Sequence, residues 1–163
     1  MPTSLIQAAT ILIVDDDPST LLLCAKPLQE EGYTAIQASG SAEALRLYAE
    51  HPTGIHLVLT DIFLPPPGFQ LSSDKNPYPR VNGLDMIERI LEGKREIRII
   101  LMSGSPAADL RTRGLIRDGL PFLKKPFAGD ALLDLVRLVL TGPPAMADSK
   151  KAERKPKDVE WFG

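Results

Sequence analysis

The sequence predicts a doubly wound α/β fold, a five-stranded parallel sheet with helices on both faces. Three observations predict it. Five short apolar runs, residues 10–14, 33–38, 55–60, 97–102 and 121–124, alternate with segments of helical periodicity, the rhythm of successive βαβ units. The first, third and fourth runs are apolar at adjacent positions rather than every second one, as strands covered on both faces are. Four of the runs end abruptly at polar residues, as at the carboxyl edge of an open parallel sheet where ligands bind.

Residues 10–14, TILIV, form the first strand and break off at Asp15, Asp16 and Asp17. Asp17 followed by Pro18 starts a helix, with a carboxylate at the N-cap and proline at the first helical position. That helix should run to about Glu31, stop at Gly32, and be kinked by Pro27, which lacks a backbone donor. Residues 33–38, YTAIQA, make the second strand. Ser41, Ala42, Glu43 and Ala44 open a helix whose Ala44, Leu45, Leu47 and Tyr48 share a face.

The third strand, IHLVLT at 55–60, ends at Asp61. Residues 84–92, LDMIERILE, repeat Leu84, Ile87, Ile90 and Leu91 at helical spacing. The fourth strand, IRIILM at 97–102, ends at Ser103, Gly104 and Ser105. A helix near 106–117 then leads through Gly119 to the fifth strand, PFLK, and Lys125. The last helix, about 128–141, carries Leu132, Leu135, Val136, Leu138 and Val139 in an apolar stripe.

Two stretches stand outside that rhythm. Residues 66–80, PPGFQLSSDKNPYPR, hold four prolines and no usable period, so they read as an inserted loop. Residues 142–163 hold three prolines, five basic and four acidic residues, and read as a disordered tail. Residues 1–9 are an N-terminal extension to a domain spanning 10–141.

Composition narrows the function classes. The 163 residues are 44% hydrophobic and 25% charged, as in an ordinary globular domain. A net charge of −2 gives no electrostatic footprint for direct nucleic-acid binding. A single cysteine, Cys24, can neither close an internal disulfide nor build a cysteine zinc site. No apolar run reaches the ~18 residues of a membrane span, and the first nine residues have no basic side chain. The expected location is the cytoplasm.

The polar residues that end the strands are chemically matched. Asp15 and Asp16 follow the first strand, Asp61 the third, Ser103 the fourth and Lys125 the fifth. Each alone has a structural explanation, as a turn carboxylate, a strand end, a helix cap or a surface lysine. Asp17 is better explained as a cap than as a ligand. Together, three carboxylates, a hydroxyl and an ammonium describe a site for Mg²⁺ and a phosphoryl group. Mg²⁺ prefers hard oxygen ligands and keeps some water. A phosphoryl group in transfer needs its oxygens neutralised and its nucleophile held in line.

The segments ILIVDDDP, VLTDIFLP, NGLDMI, ILMSGS and FLKKPF, in this order, resemble the receiver domain of two-component response regulators over about residues 10–141. The resemblance implies a flavodoxin-like receiver fold and a phosphoacceptor that assists its own phosphorylation and dephosphorylation, rather than an enzyme. It implies Asp61 as the phosphoacceptor, with Asp15, Asp16, Asp61 and the backbone carbonyl of Phe63 around Mg²⁺. Ser103 and Lys125 would contact the phosphoryl group, and Phe122 would be the switching aromatic. Lys124, one residue off, should point elsewhere, and the Lys125–Pro126 bond should be cis. The implied partners are a histidine kinase or phosphotransfer protein and a downstream protein target. That target would read the face of the fourth helix, fifth strand and fifth helix, and a phosphorylation-dependent dimer is a further expected partner state.

The chain departs from the family pattern in three ways. Seventeen residues separate Pro65 from Gly83, where the family has only a few, and Pro27 interrupts the first helix. No output domain follows residue 141, so the chain reads as a single-domain regulator or a receiver taken from a larger kinase. Two other readings remain open. A haloacid-dehalogenase-like phosphotransferase would use Asp15, Asp17, Ser103 and Lys125, but it needs a further acidic pair at a strand end and gives Asp61 no role. A degenerate receiver would act as a docking module only.

Overall fold

The computed structural model describes residues 9–51, 54–64, 83–93, 97–116 and 120–142. The insertion at 66–80 and the tail beyond Gly142 lie outside the described residues. In chain order the elements are β1 (Thr10–Val14), α1 (Pro18–Glu30), β2 (Thr34–Ala38), α2 (Ser41–Glu50) and β3 (Leu57–Asp61). There follow α3 (Gly83–Gly93), β4 (Arg98–Ser103), α4 (Ala107–Thr112), β5 (Phe122–Lys124) and α5 (Gly129–Leu140). The strands form one sheet in the order β2-β1-β3-β4-β5, and every pairing is parallel. Strand order therefore reverses between β1 and β3, which opens a crevice at their carboxyl ends.

The alternation of side chains along each central strand divides the core in two. Ile11 and Ile13 of β1, Leu57 and Leu59 of β3, and Ile100 and Met102 of β4 face α1 and α5, meeting Leu21, Cys24, Leu28, Leu132 and Val136. Leu12 and Val14, Val58, and Ile99 and Leu101 face the other way, onto Ala44 of α2, Met86 and Ile90 of α3 and Leu110 of α4. Both faces of these strands are dry, which explains their continuous apolar runs. Ala9 is buried against the α1–α5 side, and its carbonyl accepts from Thr34 N–H at 3.0 Å.

Helix α1 begins as expected, with Asp17 accepting from Ser19 N–H and Pro18 at the first position. Pro27 does not end it. The helix continues to Glu30 and closes when Gly32 N–H reaches Gln29 O and Tyr33 N–H reaches Leu28 O, both at 3.0 Å. Helix α4 is shorter than its sequence pattern suggests, ending at Thr112 rather than 117. Gly114 takes φ 75°, and Leu115 N–H bonds back to Leu110 O at 2.8 Å. This left-handed glycine terminator stops the helix while the apolar residues continue. The apolar stripe of α5 is also narrower than expected, since Leu132, Val136 and Val139 are buried but Leu138 is 67% exposed.

Cys24 sits at 0% exposure in the α1–α5 half of the core. Burial, reinforced by the charge of Asp15 and opposed by Lys125, pushes its thiol up to about 12. Because the thiolate is the reactive form, Cys24 in the native protein should alkylate with iodoacetamide at pH 8 at least about a hundredfold more slowly than in denaturant. Mass spectrometry over time checks this. Equal rates would show that α1 does not hold the thiol in the core.

Candidate functional site

The carboxyl ends of β1, β3 and β5 bring together the side chains of Asp15, Asp16, Asp61 and Lys125, and Ser103 ends the neighbouring β4. Asp15 follows β1 directly and is fully buried. Its N–H donates to Ala38 O on β2 at 3.1 Å, and its Oδ1 accepts from Asp17 N–H at 2.9 Å. The same carboxylate therefore closes the turn into α1 and presents Oδ2 to the crevice. Asp16 is exposed, and Asp17 is used as the helix cap.

Asp61 is the last residue of β3 and is 8% exposed. Its Oδ1 accepts from Phe63 N–H at 2.9 Å, and its Oδ2 from Lys125 Nζ at 2.6 Å. Lys125 Nζ also donates to Asp15 Oδ2 at 2.7 Å, so one ammonium bridges two strand ends. Carboxylate oxygens of Asp15, Asp16 and Asp61 lie within 4.8 Å of one another. Among the described residues, three carboxylates thus face one ammonium, an excess of negative charge.

The electrostatics follow from that imbalance. Burial raises the pKa of the Asp61 carboxyl above the usual carboxylate value; Lys125 and the Phe63 N–H oppose the rise, and the charge of Asp15 adds to it. Burial acts to lower the pKa of Lys125, but hydrogen bonds and charge from Asp15 and Asp61 hold it above the ordinary lysine value. The lysine–carboxylate contacts therefore stabilise the fold fully below the ordinary lysine pKa of 10.5, and that contribution fades as pH rises through the raised value. The raised Asp61 pKa acts in the same direction, because ionising the buried carboxylate costs stability as pH rises through the carboxylate range. A divalent cation among these oxygens would relieve that cost. The donor set, three hard carboxylates in an open crevice, fits Mg²⁺.

Ser103 ends β4, 1% exposed, and its Oγ accepts from Ser105 N–H at 3.1 Å. Pairing of Asp61 with Met102 places Ser103 one residue beyond the register of Asp61. Lys125 N–H donates to Ser103 O at 2.8 Å, which ties the β5 end to the β4 end. The Lys125–Pro126 peptide is cis. Lys124 is exposed, its ammonium on Lys125 O, and takes no part in the crevice. Phe122 is half-buried against the α2–α3–α4 half of the core.

Two contacts at the site were not foreseen from the sequence. Gly83, the first residue of α3, packs on the peptide of Asp61: a Cβ there would overlap Asp61 O. Its N–H donates to Ile62 O at 2.8 Å. The Phe63 ring, 41% exposed, lies under the Arg113 guanidinium, with 5.7 Å from Cζ to the ring centroid. The NGLDMI segment marks Gly83 as a motif residue, but its contact is with residues more than twenty positions earlier, and no local pattern reports that.

No family model matches the chain. It is 29% identical over 152 residues to the DNA-binding transcriptional regulator NtrC of Azospirillum brasilense, covering 91% of this chain and 28% of that protein. It is 27% identical over 139 residues to the sensor kinase CckA of Brucella abortus, covering 85% of this chain and 13% of that one. Among solved structures, a chain of the CheX–CheY–BeF3–Mg complex from Borrelia burgdorferi superposes with a TM-score of 0.64 at 26% identity, over 80% of this chain and 88% of that one. In fold, strand-end residues and relatives the chain is similar to the receiver domains of two-component response regulators. It spans about a quarter of the length of the first curated relatives it matches.

Proposed function

We propose that this receiver takes a phosphoryl group onto Asp61 from a partner histidine kinase or phosphotransfer protein in a Mg²⁺-dependent reaction. It is a phosphoacceptor, not an enzyme turning over a separate substrate, and it works in the cytoplasm. The observation that carries this reading is the pairing of Asp61 Oδ2 with Lys125 Nζ at 2.6 Å beside the carboxylates of Asp15 and Asp16. Relatives support the partner class, since one of them is a sensor kinase. No helix among the described residues is long and apolar enough to cross a membrane.

Asp15, Asp16, Asp61 and the carbonyl of Phe63 would hold Mg²⁺. Bound there, the ion neutralises phosphoryl oxygens and lowers the repulsion between the donor and the acidic crevice. The chain's own groups do the rest. An Asp61 carboxylate oxygen forms the new bond to phosphorus as the donor's P–O or P–N bond breaks, and the electron pair leaves with the donor's oxygen or imidazole nitrogen. The Phe63 N–H holds the carboxylate in orientation. Lys125 moves its hydrogen bond from Asp61 to a phosphoryl oxygen, and Ser103 Oγ donates to another.

The switch follows from that last contact. Drawing Ser103 toward the phosphoryl group frees space beside β4, and the half-buried Phe122 moves into it. Phenylalanine has no hydroxyl, so the readout is packing on the α4–β5–α5 face, which then binds a protein target or a second copy. The size of the shift is set by how differently the phosphoryl group contacts the two states. Incubation with acetyl phosphate and Mg²⁺ should add one phosphoryl group and perturb amide shifts between residues 104 and 141. Labelling that persists in EDTA, or shifts confined to residues outside that span, would contradict the reading.

A further inference from the structure

The Phe63 ring is in an unusual position for a large aromatic. Its neighbours Ile62 and Leu64 are buried at 0% and 6% exposure, whereas Phe63 is 41% exposed. The core therefore takes the residues on either side and leaves this ring outside. Yet the Phe63 peptide has a specific task, because its N–H holds Asp61 Oδ1 at 2.9 Å. Residues 62–64 belong to no helix or strand, so regular structure does not fix that peptide.

Arg113 supplies a fixed point. It caps α4, with its N–H bonded to Asp109 O at 3.1 Å, and the chain turns immediately afterwards at Gly114. Leu110 at 0% and Ile116 at 7% exposure anchor the two sides of this turn in the core. From that base the guanidinium reaches over the Phe63 ring, an arrangement attractive through the ring quadrupole. Arginine keeps its charge at any physiological pH and stacks on aromatic faces in a way an amide does not.

We propose that Arg113 is a positioning residue for phosphoryl transfer, acting through the Phe63 ring. Through its cation–π contact with that ring, Arg113 holds the peptide whose N–H orients Asp61 and whose carbonyl would be a ligand of the expected Mg²⁺. The assignment rests on Asp61 as phosphoacceptor, but its geometric part does not. It also makes orientation at Asp61 depend on α4, the helix that follows Ser103. A cation–aromatic contact at an exposed position has a strength that corresponds to about a two- to fivefold change in an equilibrium.

The test is a double-mutant cycle with Arg113→Gln, Arg113→Lys, Phe63→Leu and the Gln/Leu double variant, all of which keep the backbone N–H. Amide hydrogen exchange of Phe63 in the metal-free protein reads the hydrogen bond directly. Ile62 N–H, bonded to Met102 O at 3.1 Å, is the internal control. In Arg113→Gln, Phe63 exchange should rise about two- to fivefold while Ile62 exchange is unchanged. Mg²⁺ affinity, titrated calorimetrically, and the rate of labelling by acetyl phosphate should fall by a similar factor. Arg113→Lys should recover most of the effect, and Arg113→Gln should add nothing once Phe63 is Leu.

The proposal is overturned if Arg113→Gln leaves Phe63 exchange at the wild-type rate. It is also overturned if Ile62 exchange rises equally, or if the substitution acts undiminished in the Phe63→Leu background. Failure of wild type to label at Asp61 would instead sink the phosphoacceptor reading, while exchange and Mg²⁺ binding still decide the role of Arg113.

Discussion

Asp61→Asn should take up no phosphoryl group from acetyl phosphate and Mg²⁺ under conditions that label the wild type. The substitution changes little else. The asparagine carbonyl can still accept from Phe63 N–H, the volume is conserved, and the position is close to fully buried with its partners in place. What is lost is the anionic oxygen now held by Lys125, and an amide oxygen cannot serve as the nucleophile. Stability should change by about 1 kcal/mol or less, so a folded but unlabelled variant is the expected outcome of parallel circular dichroism and mass spectrometry. Labelling of the variant at the wild-type level would remove Asp61 from the chemistry and return Asp15 to consideration.

Gly83→Ala should be the most disruptive single methyl in the described part of the chain. Its Cβ would overlap Asp61 O and lie 3.0 Å from Asp61 C and 3.1 Å from Ile62 Cα. All three are backbone atoms, so no side-chain rotation relieves the overlap. Either α3 retreats from β3, or the peptide carrying Asp61 shifts. Overpacking in a rigid setting costs about 1–3 kcal/mol and sometimes more, and here the upper end is expected. Urea unfolding should show a loss of about 3 kcal/mol or more, together with weakened Mg²⁺ binding because the carboxylate moves with its backbone. Wild-type stability and Mg²⁺ affinity in this variant would mean that the close approach of α3 to β3 is not a feature of the protein in solution.

Much of the architecture is legible because it is local. The doubly dry strands announce themselves by consecutive apolar residues, and Asp17–Pro18 sets the start of α1 within one residue. The matches end where several signals compete. The apolar pattern of α4 continues past Thr112, but Gly114 terminates the helix at Arg113, and periodicity alone does not weigh the two. Leu138 has the spacing of a core residue, yet the narrow contact of α5 with the sheet leaves it outside.

The site was legible for a different reason. Strand ends converge by topology, so the residues that close β1, β3, β4 and β5 must meet once the strand order is 2-1-3-4-5. That convergence made Asp15, Asp61, Ser103 and Lys125 readable from position, and the family resemblance gave each a role. Contacts between residues brought together only by loop conformation, such as Gly83 on Asp61 and Arg113 on Phe63, have no such signature. They depend on where a helix starts or stops to within a single residue.

The most direct test of the central claim is chemical trapping of the modified residue. Borohydride reduces an aspartyl phosphate to homoserine, so reduction after incubation with acetyl phosphate and Mg²⁺ leaves a permanent mark at the site of transfer. Peptide mapping should find homoserine at position 61 alone, and none when EDTA replaces Mg²⁺. Homoserine at position 15, or no trapped residue in a protein shown to have taken up phosphate, would contradict the assignment of Asp61 as phosphoacceptor.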